Sequence, residues 1–300
     1  MVKTTGDKRL NLIGYIVMII LTFNALIPII LMVISSLTDN ASLMLNGYSF
    51  VPDKWSTYAY RWIFAFSGGM VMRAYGISFL VTIIGTLANV LITIGLAYGL
   101  SKRDLPGKSF FTFYVVFTML FNGGLVPTYI NYTNVFHIKD TIWALLIPSL
   151  LCNAFNVLLT KSYFVSGIPN EIIEAAYIDG ANELQTLHSV VIPLAKPIIA
   201  TIAMFAGIAY WNDWNNGYIY LVKRTEFFSI QNLLNRLMQN INALTQNANQ
   251  VNNVTTALAD VPSVTVRMAI ATLGILPIII VYPFIEKSFV KGITLGGVKG

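Results

Sequence analysis

Residues 74–101 read AYGISFLVTIIGTLANVLITIGLAYGLS, a run without a single charged side chain. A helix needs about 20 mostly apolar residues to cross the hydrocarbon core, because each residue rises about 1.5 Å and every backbone polar group must be satisfied internally. Residues 74–101 meet that requirement, and five other stretches resemble them: Leu10 to Leu37, Ser109 to Ile130, Thr141 to Phe164, Val190 to Trp211 and Met268 to Ile285. The pattern predicts an all-α, polytopic membrane protein with six transmembrane helices. A tail of residues 1–9 and a tail of residues 287–300 flank a membrane domain of residues 10–286.

Composition agrees. Hydrophobic residues make up 56% and charged residues 11%, against about 45–50% and about 25% in soluble domains; mean hydropathy is +0.68. The net charge of +6 does not form a nucleic-acid face, since the cations lie in short connections. Lys3, Lys8 and Arg9 precede the first span, Lys102, Arg103 and Lys108 follow the second, and Lys287, Lys291 and Lys299 follow the sixth. By the positive-inside rule these ends, both termini and the connection 166–189 are expected in the cytoplasm. The first apolar run exceeds the roughly 7–15 residues of a cleaved signal, so it is expected to be a retained anchor. Cys152 is the single cysteine, which excludes an intramolecular disulfide and a thiolate metal cluster.

The stretch Ile168-Pro169-Asn170-Glu171-Ile172-Ile173-Glu174-Ala175-Ala176-Tyr177-Ile178-Asp179-Gly180-Ala181 has the chemistry of a short helix ended by a sharp turn. Pro169 suits a first helical position, Glu171 complements the electropositive N-terminus, and Asp179-Gly180 provides a stop because glycine tolerates positive φ. So short a helix needs a surface to pack on.

Glu174-Ala175-Ala176, then Gly180, then Ile192-Pro193 resembles the Glu-Ala-Ala loop of ATP-binding-cassette importer permeases, and Asp179-Gly180-Ala181 resembles its carbohydrate-importer form. Trp211-Asn212-Asp213 resembles that family's Trp-Asn-Asp signature, and the tail from Phe289 to Gly300 is similar to that of the smaller maltose-transporter permease. Phe121 to Tyr129 resembles sugar permeases of the LplC/YtcP type. The resemblance implies a type I importer permease fold, in a multi-pass chain of a bacterial plasma membrane. It implies four kinds of partner: a homologous second permease, two ATPase subunits, an extracytoplasmic substrate-binding protein and membrane lipid. Glu174, Ala175, Ala176, Asp179 and Gly180 would form the ATPase-coupling element, with Glu174 facing a basic residue and Gly180 making the turn. ATP and Mg would sit on the partner. This chain has no Gly-x-x-x-x-Gly-Lys-Ser/Thr loop, so neither an enzymatic activity nor a cofactor of its own is expected, and His137 and His188 fall far apart in sequence and on opposite sides of the predicted membrane, so no shared metal site is expected.

Asn153 and Asn156, three apart in the fourth span, suit either helix-helix hydrogen bonding or a substrate path. Trp211, Asn212 and Asp213 offer an aromatic face and amides to a sugar, or an interfacial helix cap. Gly85, Gly95 and Gly99 suggest close helix packing. The connection 213–267 is rich in Asn and Gln, and Gln231, Asn240 and Asn253 mark it as either a docking element for the binding protein or a passive tether. A rival class, an ion-gradient-driven secondary carrier, would favour ionisable residues within spans and an inverted repeat, and the sequence shows almost none of the former and no sign of the latter.

Overall fold

The computed structural model describes residues 5–250 and 263–297. Its elements are α-helical with short π and 3-10 turns: α1 (Thr5–Ser36), α2 (Asn40–Asn46), α3 (Tyr58–Ser101), α4 (Lys108–Leu120), α5 (Leu125–Ile130), α6 (Trp143–Leu146), α7 (Ala154–Gly167), α8 (Asn170–Ile178), α9 (Glu183–Thr186), α10 (Ile192–Leu194), α11 (Lys196–Asn212), α12 (Asn215–Tyr220), α13 (Ile230–Gln250) and α14 (Ser263–Gly297). Contacts divide the chain into two units, one from residues 1–69 and 234–276, the other from 70–233 and 277–300.

In the first unit, α1 leaves apolar side chains exposed from Leu12 to Ile30, a surface suited to lipid tails or another apolar helix. The Asp39 carboxylate accepts the Ser42 N–H and starts α2, and Asn40 Oδ1 accepts the Thr265 N–H and hydroxyl, each at 3.4 Å. Leu43, Ile63, Ile241 and Val266 are buried. In the second unit, Ile94, Ala97 and Tyr98 of α3 pack with Phe164 of α7, Ile168, Val191, and Ala195, Ile198 and Ile202 at and within α11.

The fold class is as expected, but the run-by-run reading is corrected at three places. Among the described residues three helices are long and apolar enough to cross a membrane, Asn11–Ser36, Gly68–Ser101 and Val264–Val281. The third run is bent by 114° between Lys108–Leu120 and Leu125–Val135, and the fifth by 83° between Glu183–Leu194 and Lys196–Asn212, so counting each bent pair as one crossing gives five. Gly124 has φ 87° and its N–H bonds the Asn122 side chain, local chemistry that ends α4 where an uninterrupted span was expected. In the fifth run Pro193 and Pro197 each lack the N–H that would continue the ladder, and Ala195 falls at the break.

The fourth run is not a continuous helix. α6 stops at Leu146 and α7 begins at Ala154, with Pro148 and a left-handed Ser149 (φ 62°) between them. Irregular backbone in an apolar setting is tolerated only where its polar groups find partners. Here Tyr210 Oη donates to the Leu146 carbonyl (2.8 Å), Asn216 Nδ2 to that of Pro148 (3.0 Å) and Asn89 Nδ2 to that of Leu150 (2.7 Å).

The connection 213–267 is largely helical as far as it is described, since it contains α12 and the amphipathic α13. Ile230, Leu233, Leu234 and Ile241 of α13 are buried while Gln239 and Asn240 are exposed. The apolar spacing at 230, 233, 234, 237 and 241 is the helical signal that the polar composition obscured.

Candidate functional site

α8 begins one residue later than the proline rule suggested, with Pro169 as the residue flanking the helix and Glu171 in its first turn. Its C-terminus closes in a Schellman motif: the Gly180 N–H donates to the Tyr177 carbonyl (3.0 Å) and the Ala181 N–H to that of Ala176 (2.9 Å). Gly180 has φ 83°, the left-handed conformation expected of the Asp179-Gly180 stop. The Asp179 N–H caps the Ala175 carbonyl at 3.0 Å. Asn182 then starts α9 with a reciprocal capping box to Gln185, both bonds at 2.9 Å.

The five Glu-Ala-Ala segment residues therefore share one helix and its terminal turn. Glu174, Ala175, Asp179 and Gly180 are exposed and Ala176 half-buried. Ile173 packs against the core of the second unit, while Ile178 is 87% and Leu184 77% exposed. One face of the turn is anchored; the other presents apolar side chains and Glu174 to whatever lies beyond.

The acidic residue of this segment with the most side-chain partners among the described residues is Glu183, to which the sequence assigned no role. Its carboxylate accepts Lys102 Nζ at 2.8 Å, Tyr98 Oη at 2.6 Å and Tyr177 Oη at 2.9 Å. No local pattern links positions 98 and 102 with 177 and 183; only packing brings the two pairs together.

The proposed path residues fall into two groups. Asn153 is not on a helix face with Asn156, as expected from a continuous span: it is the N-cap of α7, its side chain accepting the Asn156 N–H at 3.2 Å. Asn153 is exposed and Asn156 buried. Trp211 is buried, its ring 5.3 Å from that of Phe79. It lines a cavity of about 660 Å³ between α3, α11 and α14, whose walls include Phe79, Thr86, Gly207, Pro277 and Val281. That apolar lining offers few polar groups to a sugar. Asn212 is exposed, and Asp213 Oδ1 accepts the N–H groups of Asn215 (3.1 Å) and Asn216 (3.2 Å), which starts α12. The unwound stretch joins the groups, because Tyr210 and Asn216 bond to its start and Asn153 ends it.

Of the docking candidates, Gln231 is half-buried and Asn240 exposed on α13, and Asn253 lies outside the described residues. Gly85 packs closely as expected, with Tyr210 against its backbone, whereas a Cβ on Gly95 or Gly99 would meet nothing. Those two glycines border a second cavity, with Phe111, Tyr114 and Cys152. Asp140 Oδ1 accepts the N–H groups of Val222 (2.7 Å), Lys223 (2.8 Å) and Arg224 (3.4 Å).

Long apolar helices and broken spans mark a polytopic membrane protein. The chain belongs to the family of binding-protein-dependent transport system inner membrane components, which matches over residues 91–295. It is 34% identical over 294 residues to the polygalacturonan/rhamnogalacturonan transport system permease protein YtcP of Bacillus subtilis, covering 98% of this chain and 99% of that one. It is 31% identical to protein LplC of the same organism, covering 92% and 90%. Among solved structures, a bacterial ABC transporter involved in the import of the acidic polysaccharide alginate superposes with a TM-score of 0.76 at 29% identity, covering 96% of this chain and 99% of that one.

Proposed function

We propose that this chain is one of two paired permeases in an ATP-driven importer that takes oligosaccharides from an extracytoplasmic binding protein. The observation that carries the reading is the α8–α9 turn. Its left-handed Gly180, closed Schellman bonds and capping box give a rigid knuckle, and exposed Ile178, Leu184 and Glu174 give it a contact surface. A partner ATPase would grip that knuckle, and ATP would shift the balance between inward- and outward-open forms as far as the ATPases hold one form more tightly. Placing the turn in the cytoplasm follows the lysines and arginines around the spans. The oligosaccharide class is supported by the relatives named above, and uronic-acid oligosaccharides are the first probes to choose because two of those relatives are named for acidic polysaccharides.

The test is co-expression with a candidate ATPase, second permease and binding protein, followed by purification in mild detergent and reconstitution. Uptake of a galacturonic-acid oligosaccharide that requires both ATP and the binding protein is the expected result. Uptake that ignores ATP and collapses with an uncoupler would overturn it in favour of an ion-gradient carrier.

A further inference from the structure

Glu183 stands at the centre of a four-residue cluster drawn from three places in the chain. Tyr98 lies in the last turn of α3 and Lys102 just beyond it; Tyr177 belongs to α8 and Glu183 opens α9. Tyr98 and Lys102 reach Glu183 Oε2 at 2.6 and 2.8 Å, and Tyr177 reaches Oε1 at 2.9 Å. Lys102 Nζ also donates to the Tyr177 hydroxyl, and the ammonium lies 4.3 Å from the Tyr98 ring centroid and 5.0 Å from that of Tyr177.

The Glu183 side chain is 60% exposed and that of Lys102 24%, so this ion pair adds little to folding stability. Its effect is geometric. Charge-assisted bonds from three directions leave the carboxylate one orientation, and that orientation ties the turn to the end of α3. The other end of this stretch of α3 is also informative: Thr86 and Phe79 line the apolar cavity, and Thr86 is about 22 Å of unbroken helix from Ser101.

We propose that Glu183 and Lys102 are positioning residues that latch the α8–α9 turn to α3, so that a displacement imposed on α8 is delivered along α3 to the cavity wall. The latch rests on the reading that α8 is the ATPase contact. Without it, α8 would be held to α3 by the apolar packing of Ile173 alone, a looser link, and ATP would be spent with less transport. The turn itself does not depend on the latch, because Asn182 and Gln185 cap α9 without Glu183, so Glu183→Gln removes the charge and leaves the turn built.

The experiment is a double-mutant cycle on the reconstituted transporter, with Glu183→Gln, Lys102→Met and both together, measuring ATP hydrolysed per oligosaccharide imported. Each single change is expected to raise that ratio by about fivefold or more, and the double variant to do no worse than the worse single, since both break one device. A ratio unchanged from wild type, uptake and hydrolysis falling in parallel, or additive effects would each overturn the latch. Failure of the underlying reading is seen separately, as absence of ATP-dependent uptake in the wild-type complex.

Discussion

The Tyr210 hydroxyl donates to the Leu146 carbonyl at 2.8 Å across 64 positions of sequence, while its ring lies against the backbone of Gly85 so closely that a methyl group there would overlap it. One side chain thus joins α11, the unwound stretch and α3. Tyr210→Phe keeps the ring and strands a buried carbonyl, at a cost of about 1–3 kcal/mol. Gly85→Ala keeps the hydroxyl but forces the ring aside, at a cost of about 1–3 kcal/mol. Both variants should lower the detergent melting temperature, read by thermal-shift fluorescence; unchanged melting in both would show that the stretch is held elsewhere.

Glu174 is exposed on the proposed coupling face. Glu174→Lys replaces attraction by repulsion toward a basic partner, a change of several kcal/mol where the contact is desolvated. Uptake should fall by at least about tenfold with normal amounts of this chain in the membrane and reduced recovery of the ATPase. Wild-type uptake and recovery would remove the contact.

Gly180 at φ 83° has open space where a Cβ would point, so the penalty of substitution is conformational rather than a clash. A left-handed L-residue costs roughly 1–2 kcal/mol, and valine's branched side chain adds to that. Gly180→Val should leave the spans folded, as judged by far-ultraviolet circular dichroism, yet separate ATP hydrolysis from uptake. Full coupling in that variant would show that the turn accommodates other geometries.

Asp140 clasps the backbone of residues 222–224. Partial burial disfavours its charge, but N–H donation from Lys223, Val222 and Arg224, with Lys139 adjacent, outweighs that and holds the carboxyl below the usual aspartate value. A depressed folded-state pKa means that the clasp contributes fully above the unfolded aspartate pKa and is lost as pH falls through the folded value. Asp140→Asn should therefore speed tryptic cleavage after Lys223 and Arg224 at neutral pH. The thermal-stability gap between wild type and Asp140→Asn should narrow as the solution is acidified through that window; a gap independent of pH would assign the effect to something other than the charge.

Asn240 is exposed on α13, whereas Leu234 and Ile241 are buried. A bulky maleimide on Asn240→Cys, in a Cys152→Ala background, should reduce binding-protein-stimulated uptake at limiting substrate if this face docks the binding protein. Labelling without any loss of uptake would make the segment a tether.

Composition and run length by themselves determined that this chain is helical and belongs in lipid, because an apolar backbone segment in hydrocarbon has few alternatives to a helix. The Asp179-Gly180 stop was equally legible, since φ near 83° is cheap only for glycine and the bonds that close the turn are local. Tertiary structure alone decided where the fourth run breaks. Leu146, Pro148 and Leu150 give up helical bonding because Tyr210, Asn216 and Asn89, distant in sequence, satisfy their carbonyls, and no window of apolar residues encodes that exchange. It likewise decided that Glu183 rather than Glu174 anchors the turn to α3. Sequence spacing specifies which residues share a face of one helix, whereas the partners of a carboxylate depend on which helix ends meet in space.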